Sequence, residues 1–268
     1  MRLALLTLEA LAAAAPVRRF VADNAERIVL VALSDPFRPQ KGGAVGQAWH
    51  LLRRSGPRFL PYLAANFVLP RLAGLIRADG VAPEQTRLAR LCTLRGIPVS
   101  TEPDMNAPAF QARLRGSGAD MILTFHCDQI LTAETLAVLS GGGLNVHAGL
   151  LPDHRGPVPT IHALLEPVPR FGVTIHRLAP RIDAGAIVAQ ATVELPPGIS
   201  ALSAAERLHM AALPLLNEVL DAGVIRETNF IPKKYCGFPT SAQLRALRRM
   251  GRSAAKFDDI LWSFRTPM

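Results

Sequence analysis

An amide, an imidazole and a carboxylate in one region of the sequence are where chemistry can be sought. Asn145 and His147 alternate across Val146, so an extended strand turns both side chains to one face. They close a short apolar run and open a loop, AGLLPDHRGPVP, rich in Gly and Pro. In open α/β sheets, ligands gather at the carboxyl ends of strands. Together the amide and imidazole offer donors to a developing oxyanion and a group that moves a proton near neutral pH. Asp183 lies 38 positions after Asn145 in the loop PRIDAG, where Gly185 permits a sharp turn. Its carboxylate can act as a general base or hold the imidazole cationic. Each residue also has an ordinary reading alone, because Asn, His and Asp at strand ends commonly make turns.

The elements that must position these groups alternate between strand and helix. Residues 3–8 and Ile28–Ser34 are continuous apolar runs, expected of strands buried on both faces. Residues 41–79 are helical in pattern but punctuated by Gly56, Pro57, Pro61 and Pro70. Helices are expected at 83–95, 107–116, 132–139 and 160–165, with short strands at 98–101, 119–124 and 144–147. Residues 172–177 and 186–193 read as a hairpin, and 203–222 as an amphipathic helix opened by the capping box SAAE. This order predicts an α/β fold, a Rossmann-like open and mostly parallel sheet. The expected division is a catalytic domain over 1–223 and a basic, irregular extension over 224–268 with one helix at 241–250.

Composition narrows the function classes. The 268 residues are 49% hydrophobic and 19% charged, enough apolar material for a full core, which excludes a disordered chain. Twenty-six Arg and four Lys against 21 acidic residues give +9. That charge suits an acidic substrate or nucleic acid, although Arg and Ala are raised throughout. Cys92, Cys127 and Cys236 contain no CxxC pair, which excludes a disulfide framework and fits a reducing compartment. MRLALLTLEALAAAAPV has the outline of a secretory signal, but Glu9 interrupts its apolar stretch, so a buried strand is expected. Residues 59–69 are too few to span a bilayer. A soluble, cytoplasmic protein without membrane association follows. His126, Cys127 and Asp128 offer no closed ligand set, and His154, His162 and His176 lack ligand spacing, so no metal is expected. The turn at Gly42, Gly43 and Gly46 lacks the Lys-Ser/Thr of a phosphate loop. Arg245, Arg248, Arg249 and Arg252 form a helical stripe, either solvated or set against phosphates.

The string from Asn145 through His147, Leu151-Pro152 and Arg155-Gly156 resembles the signature of the folate-dependent formyltransferases, which include methionyl-tRNA, glycinamide ribonucleotide and sugar N-formyltransferases. The companion motif, a Gly-Val-Thr strand at 172–174 followed by Asp183-Ala184-Gly185, is similar to that family's second motif at its usual separation. The resemblance covers 118–222. It implies transfer of a formyl group from N10-formyltetrahydrofolate to an acceptor amine, without a metal. Asn145 and a protonated His147 would stabilise the tetrahedral oxyanion, with Asp183 accepting a proton through water. The folate would meet Gln129, Ile130, Leu131, Ala179 and Asp183.

Departures from the family patterns point to the acceptor. After the first strand the chain reads Leu6-Thr7-Leu8-Glu9-Ala10, with no Gly-rich phosphate loop, which disfavours a phosphoribosyl acceptor. The residues after Gly223 are too few for the nucleic-acid-binding barrel of methionyl-tRNA formyltransferases, so tRNA is a disfavoured partner. The expected acceptor is a small-molecule amine such as an amino sugar. The alternatives are a methionyl-tRNA formyltransferase-like activity, a formyltetrahydrofolate hydrolase, or a non-catalytic folate- or nucleic-acid-binding protein. The oligomeric state is open.

Overall fold

The computed structural model describes residues 1–35, 43–76, 88–223 and 225–266. Parts of the expected features at Gly42 and at 83–87 lie outside them. Strand β1 (Leu3–Thr7) is wholly buried and leads into helix α1 (Leu11–Asp23). Strand β1 lies third in a seven-stranded sheet ordered β3-β2-β1-β4-β5-β6-β7, between β2 and β4. The other strands are β2 (Ile28–Ser34), β3 (Val99–Glu102), β4 (Met121–Phe125), β5 (Gly143–His147), β6 (Gly172–Arg177) and β7 (Ile187–Thr192). The first five run parallel; β6 pairs antiparallel with β5, and β7 antiparallel with β6.

Alternation along β1 shows why the strand has no polar side. Leu3 and Leu5 join a core with Val17, Phe20 and Leu208, whereas Ala4 and Leu6 join another with Phe110 and Leu114. A strand covered on both faces must be apolar at every position. The covering helices are α1, α5 (Leu88–Leu94) and α9 (Ala201–Asp221) on one face, and α6 (Pro108–Gly116) on the other. Helix α9 begins earlier than the SAAE motif predicts. Ser200, not Ser203, is its cap, accepting the Ser203 amide at 3.0 Å. The expected helix at 132–139 is the single turn α7 (Ala133–Leu136).

The punctuated stretch after β2 folds as α2 (Gly43–Ser55), a 3₁₀ turn (Pro57–Phe59), α3 (Leu60–Leu63), a π-helical turn (Ala64–Val68) and α4 (Leu69–Ile76). Ala10, at the N-cap of α1, has no capping side chain. Instead the fully buried Asn66 of the π turn accepts the Ala12 amide at 3.0 Å. A side chain from another element thus satisfies a first-turn donor of this helix.

The residues after α9 are less irregular than their composition suggests. Helix α10 (Ser241–Arg249), close to the predicted 241–250, is followed by α11 (Phe257–Arg265), which the pattern did not reveal. Leu244, Leu247 and Ala254 are buried against Leu11, Phe59, Tyr62, Ile161 and Leu202, with Trp262 packed alongside. Helix α8 (Pro159–Ala163) supplies Ile161 to this third core. Arg252 leaves the expected basic stripe: its guanidinium donates to the carbonyls of Leu164, Glu166 and Pro167. That arrangement closes the orphan acceptors just beyond α8.

Candidate active site

The site lies at the carboxyl end of β5, where β4, β5 and β6 meet. The parallel register sets Thr124 beside Asn145, and the antiparallel register sets His176 opposite Asn145 and Thr174 opposite His147. Opposed residues share a face, so the hairpin brings a second imidazole to the first.

Asn145 is read from both ends. Thr124 Oγ1 donates to its Oδ1 at 2.6 Å. His176 Nδ1 lies 2.8 Å from the Arg177 carbonyl, a contact that places a proton on Nδ1. His176 Nε2 then accepts from Asn145 Nδ2 at 3.0 Å. The second N–H of that amide has no protein acceptor to answer it within this pair of contacts, and it is the donor an oxyanion would use.

His147 is buried. Its Nδ1 faces Asp183 Oδ2 across 3.8 Å, too long for a hydrogen bond but a span that one water or amine can bridge off the line. Its Nε2 is buried without a partner, and a Cβ on Gly149 would approach it to 2.8 Å, so glycine is the residue that fits there. Behind it, Thr174 Oγ1 donates to the Gly149 carbonyl at 2.7 Å and accepts the Leu151 amide at 3.1 Å, which pins the loop before the cis Leu151–Pro152 bond.

Asp183 sits in the left-handed region, φ 44°, a conformation that a non-glycine residue holds only when its surroundings impose it. Gly156 N donates to its Oδ2 at 2.7 Å, and His176 Nε2 lies 3.5 Å from its Oδ1. Burial pushes this carboxyl up, but His147, His176 and the Gly156 amide reverse the shift and hold it down at about 2. Burial also dominates at His147, lowering its imidazole below the ordinary value despite the pull of Asp183. An ionised Asp183 thus faces an imidazole whose neutral form burial favours. The physical reason is that desolvation disfavours the cation more than one carboxylate at 3.8 Å favours it.

The three residues expected to act together are thus adjacent, and the sequence reading missed two others. His176 lacks ligand spacing in the sequence, and Thr124 carries no local signal there. Only strand register, which the sequence does not display, brings them to Asn145. Of the residues expected around a folate, Ile130 is 52% exposed and Leu131 is buried in the core that Leu178 also packs against. That packing puts 129–131 and the 178–183 loop on one side of the sheet, with Ala179 half-buried between solvent and core. The Gln129 side chain is otherwise engaged: Nε2 donates to Ser34 Oγ and the Glu102 carbonyl, and Oε1 accepts the Met105 amide. Any ligand contact at 129 falls to its backbone. Among the described residues no His, Cys, Asp and Glu group can hold a metal ion, and no helix is long and apolar enough to cross a membrane.

The model of the formyl transferase family matches residues 86–220, half of the chain, and the chain belongs to that family. Solved structures with the same fold include a sugar N-formyltransferase from Shewanella sp FDAARGOS_354, at 18% identity over 98% of this chain and 87% of that one, TM-score 0.55. A glycinamide ribonucleotide transformylase from Symbiobacterium toebii matches at 16% identity over 84% and 91%, TM-score 0.56. WlaRD, a sugar 3N-formyl transferase solved with dTDP and 5-N-formyl-THF, matches at 13% identity over 96% and 83%, TM-score 0.54.

Proposed function

We propose that this protein transfers a formyl group from N10-formyltetrahydrofolate to the amine of a small metabolite, an amino sugar being the favoured class. The observation that carries the reading is the Asn145–His147–Asp183 cluster, with the Asn145 amide held from both ends at the carboxyl edge of β5. The acceptor nitrogen attacks the formyl carbon, the new C–N bond forms, and the bond to N10 of the folate breaks. Charge developing on the formyl oxygen meets the remaining N–H of Asn145. The neutral imidazole of His147 is competent to take the proton that the amine sheds and return it to N10 as that bond breaks, and the ionised Asp183 stabilises the imidazolium between the two steps. The cation therefore arises during the reaction rather than before it.

Support for a sugar acceptor is of two kinds. The first turn of α1, where a phosphate could bind, has its Ala12 amide committed to Asn66. Two of the proteins that share the fold over nearly all of this chain are sugar N-formyltransferases. The folate fits the exposed apolar Ile130 and the backbone of the 179–183 loop. The test is release of tetrahydrofolate from N10-formyltetrahydrofolate, with and without pooled amino sugars and other amines, using His147→Ala as control. Acceptor- and His147-dependent release supports the transferase. Release without acceptor indicates a hydrolase, and neither turnover nor folate binding refutes the donor.

A further inference from the structure

Arg155 is 2% exposed, yet its guanidinium meets only backbone carbonyls. Nε donates to the Asp183 carbonyl at 2.9 Å, Nη2 to the Ile182 carbonyl, and Nη1 to the Lys233 carbonyl at 2.7 Å. One planar fork thus joins the loop that carries Asp183 to a segment fifty residues further on. That segment, 233–239, runs as a strap along the loop after β5 and on to α8 and α2. The Cys236 amide donates to the Arg155 carbonyl at 2.7 Å, and Lys233 Nζ pairs with Asp153 at 2.6 Å. His162 Nε2 donates to the Gly237 carbonyl, Arg54 Nε to the Phe238 carbonyl and Ser55 Oγ to the Pro239 carbonyl. The strap lies so close that a Cβ on Gly156 would come within 2.0 Å of the Cys236 carbonyl. Gly156 is also the residue whose amide holds the Asp183 carboxylate.

We infer that Arg155 is a positioning residue through which the strap 233–239 holds Asp183 in its left-handed conformation against His147. The reasoning is geometric. A left-handed aspartate relaxes unless its neighbours over-determine it, and carbonyls 182 and 183 are both held by this single group. A lysine in its place is a flexible point charge that cannot span the three carbonyls as a planar fork. The inference rests on the proposed formyl transfer for its kinetic readout, so one arm of its test is independent of turnover.

In the first arm, Arg155→Lys is expected to lower kcat about a hundredfold, the scale of an ångström-sized misplacement, with acceptor KM within about threefold of wild type. In an Asp183→Asn background the same change should cost less than about threefold, because the group it positions has already been removed. Equal losses in both backgrounds, or no loss in the first, overturn the inference. If Arg155→Lys does not fold, the exposed variant Lys233→Ala carries the same cycle, with a smaller expected loss confined to the Asp183 background. In the second arm, the His147 ring is titrated by NMR in wild type and Arg155→Lys. Asp183, His176, His154 and His209 act on that ring, and of these only the loss of Asp183 moves its midpoint down. A downward shift is expected, and an unchanged midpoint overturns the inference even if the wild-type protein proves to transfer no formyl group.

Discussion

Replacing Thr124 by Val tests whether the orientation of Asn145, and not only its presence, is part of the machinery. Val keeps the shape of the side chain and removes the hydroxyl that donates to Asn145 Oδ1 at 2.6 Å. The opposite end of the amide stays tied to His176 Nε2 at 3.0 Å, so the native rotamer remains the better of the two. A flip would set the amide oxygen against the lone pair of Nε2. The variant therefore loosens the amide without inverting it. One neutral hydrogen bond contributes about 0.5–1.5 kcal/mol, and a buried acceptor left without a donor costs about 1–3 kcal/mol. The catalytic loss takes the smaller range, which converts to roughly a two- to thirteenfold lower kcat. The stability loss takes the lower part of the larger range, because Asn145 is only half-buried. Asn145→Ala removes the proposed oxyanion donor itself and should cost about 10²- to 10³-fold in kcat. Steady-state formyl transfer and thermal unfolding of both variants give the comparison. Thr124→Val as damaging as Asn145→Ala would mean the hydroxyl acts directly. A loss under twofold would mean the amide needs no support, and either result refutes the reasoning.

Other expectations follow from the same geometry. His209 is buried with Nδ1 donating to the Ala12 carbonyl, and burial lowers its imidazole to about 3. The unfolded chain protonates it near its ordinary value while the folded chain resists, so stability falls with pH from about 6.5 to about 3, by about 1.4 kcal/mol per pH unit from this group. His209→Gln should flatten the dependence of unfolding free energy on pH around pH 5 by that amount, and parallel curves would contradict it. Asp183, held at about 2, contributes stability that is present above its unfolded value near 4 and lost as pH falls through about 2; Asp183→Asn should remove that acid limb. Asn66→Ala leaves the Ala12 amide unanswered and should lower stability by about 1–2 kcal/mol, measured by urea unfolding, with kcat changed little. Ending the chain at 239 strips Leu244, Leu247 and Ala254 from the core around Phe59 and Leu202; the truncated protein should be insoluble or bind a hydrophobic dye, and a soluble, cooperative product would contradict that packing.

What the sequence determined by itself was local. Apolar runs at 3–8 and 28–34 specify buried strands because every position must suit a covered face, and the alternation of Asn145 with His147 puts both on one face of β5. The Pro- and Gly-rich loops after β5 and β6 mark where those faces open to a ligand. The family resemblance over 118–222, confirmed by the match to 86–220, rests on such local strings. Tertiary structure decided what depends on partners distant in the chain. Register brought Thr124 and His176 to Asn145. The depth of burial, which no residue type announces, lowers the His147 imidazole below its ordinary value. Asn66 became the cap of α1 from a π turn some fifty residues away, and Arg155 tied the Asp183 loop to the strap 233–239. Residues after α9 looked irregular because α10 and α11 bury only a few side chains each, and a short helix shows its face only when the surface it covers is known.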